Sequence, residues 1–302
     1  MALKDIKAKI QATNRMHTVT RAMEAVSAVK MRKTQASAFA GRPYARAALS
    51  ILTRLSGSSD IMRHPLATKR EVKKIAVVLM TSDKGLAGSL NSGVIKQAIE
   101  VVSSYKKESV TFFAYGKKGQ EFFARRGYTI AAFYENKRDD VPLSVMEELS
   151  RDLSDRFLAQ EFDEVIAVYS NFKSTFEQLP TSRTLLPLSV ESVGELVQDI
   201  RPVKGKWSDE VILEAPAAYE VEPSGEEVLG VLIPRLVAIS LYHMLLEAKA
   251  SEHSARMVAM KSASDKSKEV ARDLTRAYNK VRQAAITREV SEIVGGREAL
   301  AT

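Results

Sequence analysis

The sequence predicts a small α/β domain inserted between two long terminal helices that form an antiparallel coiled coil. Three observations carry this fold class. The stretch from Arg235 to Val294 contains neither Gly nor Pro, in a chain with 14 of one and 9 of the other. Residues 1–40 lack both as well. Between the two ends, short apolar runs alternate with amphipathic segments, the pattern of strands and helices in a parallel sheet. The expected boundaries are 1–57 for the first helix, 72–215 for the α/β domain, and 226–296 for the last helix, which pairs with the first.

A helix over residues 1–40 spans ~60 Å at 1.5 Å per residue. Leu3, Ile6, Ile10 and Thr13 begin an apolar stripe, and Met16, Val19, Met23 and Val26 continue it after one shortened step. A helical pattern resumes from Arg42 to Leu55, and Gly57-Ser58-Ser59-Asp60 marks a break. The character changes at Lys73. Ile75-Ala76-Val77-Val78-Leu79-Met80 is a continuous apolar run flanked by charge, which predicts a strand buried on both faces.

A helical pattern follows over Val94 to Tyr105, then a second strand, Val110 to Tyr115. Gly116 opens a helical segment that ends near Gly127, and a longer helix covers Leu143 to Ala159. Glu164 to Tyr169 is a third buried strand. Thr175 to Leu188 reads as one more, antiparallel, with Pro180 and Pro187 at its margins. This alternation is Rossmann-like. Residues 190–227 hold Pro202, Trp207, Pro216 and Pro223, which predicts a loop with one short strand near Val211 to Leu213.

The last helix from Arg235 to Val294 would extend ~90 Å. Met260, Ala263, Ser267, Val270, Leu274, Ala277, Val281 and Ala284 step by three and four, the spacing that keeps one stripe against a partner helix. Most are Ala, Val or Ser, so the partner can approach closely. Neither long helix holds alone in water, since packing of one face supplies most helix stability. The opening helix is the expected partner; a homodimeric coiled coil is the competing arrangement. Gly295-Gly296 is the expected end of the rod.

The net charge of +8 is uneven. Residues 1–40 carry eight Lys/Arg against two acids, and residues 235–302 carry twelve against eight, while the middle is slightly acidic. A basic rod calls for an acidic partner: a nucleic-acid backbone, an anionic membrane surface or acidic protein loops. There is no cysteine, which excludes disulfides and thiolate metal sites and is compatible with a reducing cytoplasm. No apolar core follows Met1, so no secretory leader is expected. Val228 to Leu246 is the most apolar window, but Pro234, Arg235 and His243 interrupt it, and it reads as a buried helix.

Catalytic chemistry is sparse. Asp83-Lys84-Gly85-Leu86-Ala87-Gly88 follows the first strand, where backbone N–H groups can face a phosphate. It matches neither the P-loop nor the dinucleotide pattern, and turn geometry accounts for its glycines. His17, His64, His243 and His253 are scattered without metal-ligand spacing. His243 reads as a core residue, and a surface hydrogen bond is expected for His253. No nucleophile elbow is present. The terminal helices carry few aromatics, so they lack the stacking platform of single-strand binders. A basic coiled-coil scaffold or nucleic-acid binder remains the alternative reading.

Four separated stretches carry a family resemblance. Ser251-Glu252-His253-Ser254-Ala255-Arg256-Met257-Val258-Ala259-Met260-Lys261 and Tyr278-Asn279-Lys280-Val281-Arg282-Gln283-Ala284-Ala285-Ile286-Thr287-Arg288-Glu289 resemble the C-terminal signature of the γ subunits of F-type ATP synthases. Thr20-Arg21-Ala22-Met23-Glu24-Ala25-Val26-Ser27 resembles the first helix of that family, and Thr81-Ser82-Asp83-Lys84-Gly85-Leu86-Ala87-Gly88-Ser89-Leu90-Asn91 its first strand-turn-helix.

The resemblance implies a central rotor shaft without catalytic residues, cofactor or metal of its own. Its implied partners are three α and three β subunits, the ε subunit and the membrane c-ring, with no nucleic acid and no direct small-molecule substrate. Met23, Lys30, Arg32 and Lys33 would face acidic loops of β. Arg256, Arg282, Gln283 and Thr287 would make polar contacts within the α/β collar. Ile286, Val290, Ile293 and Val294, with Ala284 and Ala285, would form an apolar bearing tip. Tyr219 and Glu222 fall where the family's foot approaches the membrane ring. Ala87 stands where many relatives carry Cys, and residues 189–207 lack the Cys pair of the chloroplast form. A bacterial source and a place on the cytoplasmic face of the inner membrane are therefore expected. Residues 135–141 and 189–209 match the family least.

Overall fold

The computed structural model describes residues 3–40, 64–138, 140, 142–189 and 225–299. The helical pattern expected over 42–55, the short strand near 211–213 and most of loop 189–209 lie outside the described residues. The elements run in the order α1 (Leu3–Ala40), β1 (Ile75–Met80), α2 (Leu90–Val102), β2 (Val110–Tyr115), α3 (Lys117–Arg125), β3 (Thr129–Tyr134), α4 (Leu143–Leu158), β4 (Glu164–Phe172), β5 (Gln178–Leu186) and α5 (Gly225–Ala299). The chain divides into two compact units, Met1–Ser27 with Met257–Thr302, and Ala28–Arg256. Both long helices contribute to both.

In the first unit, the two helices share a seam that differs from the expected one. Met16, Val19 and Val26 do not face the partner; they are 58, 57 and 54% exposed. Burial instead follows an unbroken heptad through Leu3, Ile6, Ile10, Thr13, His17, Thr20, Glu24 and Ser27. On α5 the seam runs through Met260, Ser264, Ser267, Ala271, Leu274 and Tyr278. Alternate predicted positions there, Ala263, Val270 and Ala277, are each displaced by one residue.

The physical reason is that size governs this seam more than polarity. The Thr20 hydroxyl donates to the carbonyls of Met16 (2.9 Å) and His17 (3.1 Å), and Ser267 donates to Ala263 (2.8 Å). A hydroxyl satisfied by its own helix presents only a small surface to the partner. Across the seam, His17 Nδ1 lies 2.9 Å from Ser264 Oγ and 3.1 Å from the Ser264 carbonyl. In an antiparallel pair anchored there, Leu3 falls opposite about residue 278. Past Tyr278, the described side chains of α5 are exposed, with Ala285 alone half-buried. The helix continues through Gly295-Gly296 to Ala299. Two helical glycines cost about 1 kcal/mol each against Ala, too little to stop a helix that good formers continue.

In the second unit, the sheet has the order β3-β2-β1-β4-β5. β1 pairs in parallel with β2 and β4, β2 pairs in parallel with β3, and β4 pairs antiparallel with β5. All six residues of β1 are buried, as a continuous apolar run requires. Ile75, Val77 and Leu79 pack on one face with Val94, Ala98 and Val102 of α2 and Phe123 of α3. Ala76, Val78 and Met80 pack on the other with Met146, Leu149, Leu153 and Phe157 of α4 and Leu236, Val237, Leu241 and Leu245 of α5.

The sequence reading passes over β3. Its residues are half-buried or, at Thr129 and Phe133, exposed at the sheet edge, so the strand lacks the apolar continuity of β1. Pro180 lies inside β5 and not at its margin, which an edge strand tolerates. Pro234 lies inside α5, where it removes the bond to the Gly230 carbonyl four residues back. The window that is apolar enough by composition to cross a membrane is 67% buried, in accord with the reading of a core helix.

Candidate functional site

The sheet order places a switch point between β1 and β4, whose carboxyl ends bound the crevice where open α/β sheets take ligands. Gly116, after β2, borders it. Its φ is 101° and a Cβ there would meet the Thr81 carbonyl oxygen at 1.9 Å, so only glycine lets β2 turn beside β1. Lys117 N–H donates to Asp83 Oδ1 (2.8 Å) and Gly119 N–H to Thr81 Oγ1 (2.9 Å), which seats α3 on the end of β1.

This crevice is filled by the chain itself. Asn136 Nδ2 donates to the Thr81 carbonyl (2.9 Å) and to Glu252 Oε2 (3.2 Å). Lys249 Nζ donates to Asn136 Oδ1 and to the Arg138 carbonyl. Arg256 pairs with Glu252 at 2.7 Å and reaches the Gly85 carbonyl at 3.5 Å. Ser251 and Ser254 donate to the carbonyls of Ser170 (2.9 Å) and Thr175 (2.7 Å). Lys249, Glu252 and Arg256 are all buried. Burial drives the Glu252 carboxyl upward, and the Arg256 guanidinium only partly opposes it. The Tyr115 hydroxyl is pushed up to about 12 by burial and by Asp83 and Glu252.

The turn considered for phosphate, Asp83–Gly88, is flanked by engaged donors. Ser82 N–H bonds Asn91 Oδ1 (3.0 Å), Leu90 N–H bonds the Ala87 carbonyl (3.3 Å), and the Asp83 carboxylate adds negative charge. Leu86 in that turn has φ 63°, a conformation costing a branched residue roughly 1–2 kcal/mol. Among the described residues, no group of His, Asp and Glu has metal-holding geometry. Earlier in α5, His243 Nε2 lies 3.0 Å from Glu247 Oε1, both buried. Tyr169 beside them is held well above its ordinary value by burial and by Glu247, with Arg183 opposing.

The predicted contact residues fall in several places. Met23 is half-buried on α1 in the first unit, and Arg282, Gln283, Ile286, Thr287, Val290, Ile293 and Val294 are exposed on α5 beyond its paired length. In the second unit, Lys30 is half-buried, Arg32 and Lys33 are exposed, and Arg256 is buried on Glu252. Tyr219 and Glu222 lie outside the described residues. His253, expected at the surface, is buried instead. Sequence reasoning missed the Asn136–Lys249–Glu252 cluster. The i,i+4 spacing of Glu252 and Arg256 signals their pairing, but nothing local to the helix points to Asn136.

Two long helices share one narrow seam in the first unit, and in the second the ligand crevice of the sheet is closed by the chain's own side chains. The family model described as ATP synthase matches residues 2–300. An ATP synthase gamma chain of Chlorobium phaeobacteroides is 39% identical over 99% of this chain and 98% of its own, and one of Roseiflexus castenholzii is 40% identical with the same coverage. The chain belongs to the ATP synthase gamma chain family.

Solved structures share the fold at low identity. A chain from the Euglena gracilis mitochondrial ATP synthase, OSCP/F1/c-ring in rotational state 3, aligns with TM-score 0.63 at 16% identity over 99% of this chain and 94% of its own. One from the Tetrahymena thermophila central stalk/c-ring aligns with TM-score 0.60 at 23% identity over 82% of this chain and 99% of its own.

Proposed function

We propose that this chain is the central rotor shaft of a proton-translocating F-type ATP synthase, peripheral on the cytoplasmic face of a bacterial inner membrane. Ion flow through the c-ring turns it, and its unequal contacts with the conformers of three β subunits drive ATP synthesis, or hydrolysis in reverse. Only such differential contact shifts a conformational population. The nucleotide chemistry lies on β and α, and the chain has no catalytic role of its own.

The observation that carries this reading is the end of α5. About twenty residues beyond Tyr278, roughly 30 Å of helix, lack a partner among the described residues and expose Ile286, Val290, Ile293 and Val294. A helix of that length is marginal alone in water and calls for a surrounding sleeve. The α/β collar supplies one. Arg282, Gln283 and Thr287 stand on the same exposed segment, and Tyr219 and Glu222 are assigned to the foot beside the c-ring and ε.

The test is reconstitution. The chain should co-purify with α and β subunits and show no ATPase turnover when isolated. Met23→Lys adds a cation beside the β loops and should lower protons pumped per ATP in membrane vesicles, with hydrolysis retained. Unchanged pumping per ATP in that variant, or absence of the chain from the purified assembly, overturns the proposal.

A further inference from the structure

A cavity of about 860 Å³ opens in the second unit between α4, the part of α5 around Pro234, and residues 64–66. None of the residues assigned above to a partner subunit lines it. Its volume lies within the roughly 300–1,000 Å³ of sites that take small organic molecules. Leu66 and Ala238 are buried in its wall, and Ile239 and Tyr242, half-buried, add apolar surface. Four exposed charged residues complete the lining. Glu147 and Asp155 balance Arg151 and Arg235, so the lining favours no net charge on an occupant.

Two polar groups in this wall are left for a ligand. Ser154 of α4 is 6% exposed, and its hydroxyl has no hydrogen-bond partner among the described residues. Ser150, one turn earlier, donates to the Pro234 carbonyl at 3.3 Å, so only one of the two serines is satisfied. Buried polar groups are ordinarily hydrogen-bonded, and each exception needs a reason. On α5, Pro234 has no N–H to give the Gly230 carbonyl, and both residues line the cavity. Gly and Pro are the residues least suited to a helix interior, yet here they stand one turn apart. Packing does not require the glycine: a Cβ at Gly230 would meet no atom within 4 Å, and its backbone is helical. What the pair does is leave an acceptor bare beside an open wall. Sequences break local rules in this way where function requires it.

We propose that this cavity binds an uncharged, largely apolar molecule that carries a hydroxyl, an apolar alcohol or phenol. A hydroxyl both donates, as the Gly230 carbonyl requires, and accepts, as the Ser154 hydroxyl requires. The apolar body covers Leu66, Ala238 and Ile239, and its removal from water supplies the driving force. Few, well-placed polar groups in an apolar wall are what fix the orientation of a small ligand. The site is independent of the rotor reading, since it uses none of the contacts that reading assigns.

The probe is 2-naphthol, titrated by its own fluorescence against the isolated full chain. Its companion is 2-methoxynaphthalene, which keeps the rings and the oxygen but lacks the donor. The expected result is saturation by 2-naphthol at one molecule per chain, with 2-methoxynaphthalene about three- to tenfold weaker, the range for one lost neutral hydrogen bond. Ser154→Ala should weaken 2-naphthol by about the same factor. Gly230→Leu places a side chain in the open wall and exchanges a poor helix former for a good one. It should weaken 2-naphthol by roughly tenfold or more without lowering the thermal midpoint, so a loss of binding is not a loss of folding. Binding that does not saturate, equal affinity for the two probes, or affinity unchanged by Gly230→Leu and Ser154→Ala overturns the inference. Co-purification with α and β tests the rotor reading separately.

Discussion

Lys249, Glu252 and Arg256 are buried charges that hold one another, through Asn136, across the end of the sheet. Such a cluster contributes little net stability, yet breaking it by removing one partner is costly. Arg256→Met leaves the Glu252 carboxylate buried with less compensation and should destabilise the chain by ~3–5 kcal/mol at neutral pH in urea unfolding. The sign with pH follows from the raised Glu252 value. A group whose folded-state pKa is raised contributes stability that is present at low pH and lost as pH rises through that value. Loss of Arg256 raises it further, so the deficit should shrink on acidification; a deficit that grows instead would contradict this account. Glu252→Gln keeps the shape without the charge and should be far milder. Individual residues were the least legible level of the sequence. The i,i+4 spacing pairs Glu252 with Arg256 but says nothing of what meets Glu252 from 116 residues away.

At the scale of elements, β1, β2 and β4 were legible because burial on both faces demands an unbroken apolar run. β3 was not, because an edge strand half-covered by neighbours has no such demand. The long helices were legible from the absence of Gly and Pro, but their seam was misread where Thr, Ser and His replace apolar residues. Those hydroxyls are satisfied within their own helix, which makes Thr20 equivalent to a small apolar residue. Thr20→Val should therefore change the thermal midpoint little. Thr20→Leu adds bulk to a close-packed seam and should cost about 1–3 kcal/mol. Near-equal midpoints for the two variants would show that the seam is not tightly packed.

For the whole molecule, the division of labour follows from which surfaces are spent. The crevice at the end of the sheet, where an α/β enzyme keeps its ligand, is occupied by Lys249, Glu252 and Arg256. What α5 leaves unspent is its far end. Fold class and family were both legible from the chain, because the two Gly- and Pro-free ends and four separated motifs span it. Which polar residues face inward was not, since that depends on strands brought together from distant parts of the sequence.

The end of α5, unpaired among the described residues, also bears on the fate of the chain before assembly. A lone helix of about twenty residues opens on its own, well below the free energy of global unfolding. Lys280, Arg282 and Arg288 lie on it, all exposed. Brief trypsin treatment of the isolated chain should cut there first and leave the α/β unit intact, and assembly should abolish those early cuts. Early cleavage within Ile75–Leu186 instead would argue against the overhang. On the proposed function, the segment that enters a sleeve is thus also the first that an unassembled copy offers to a protease.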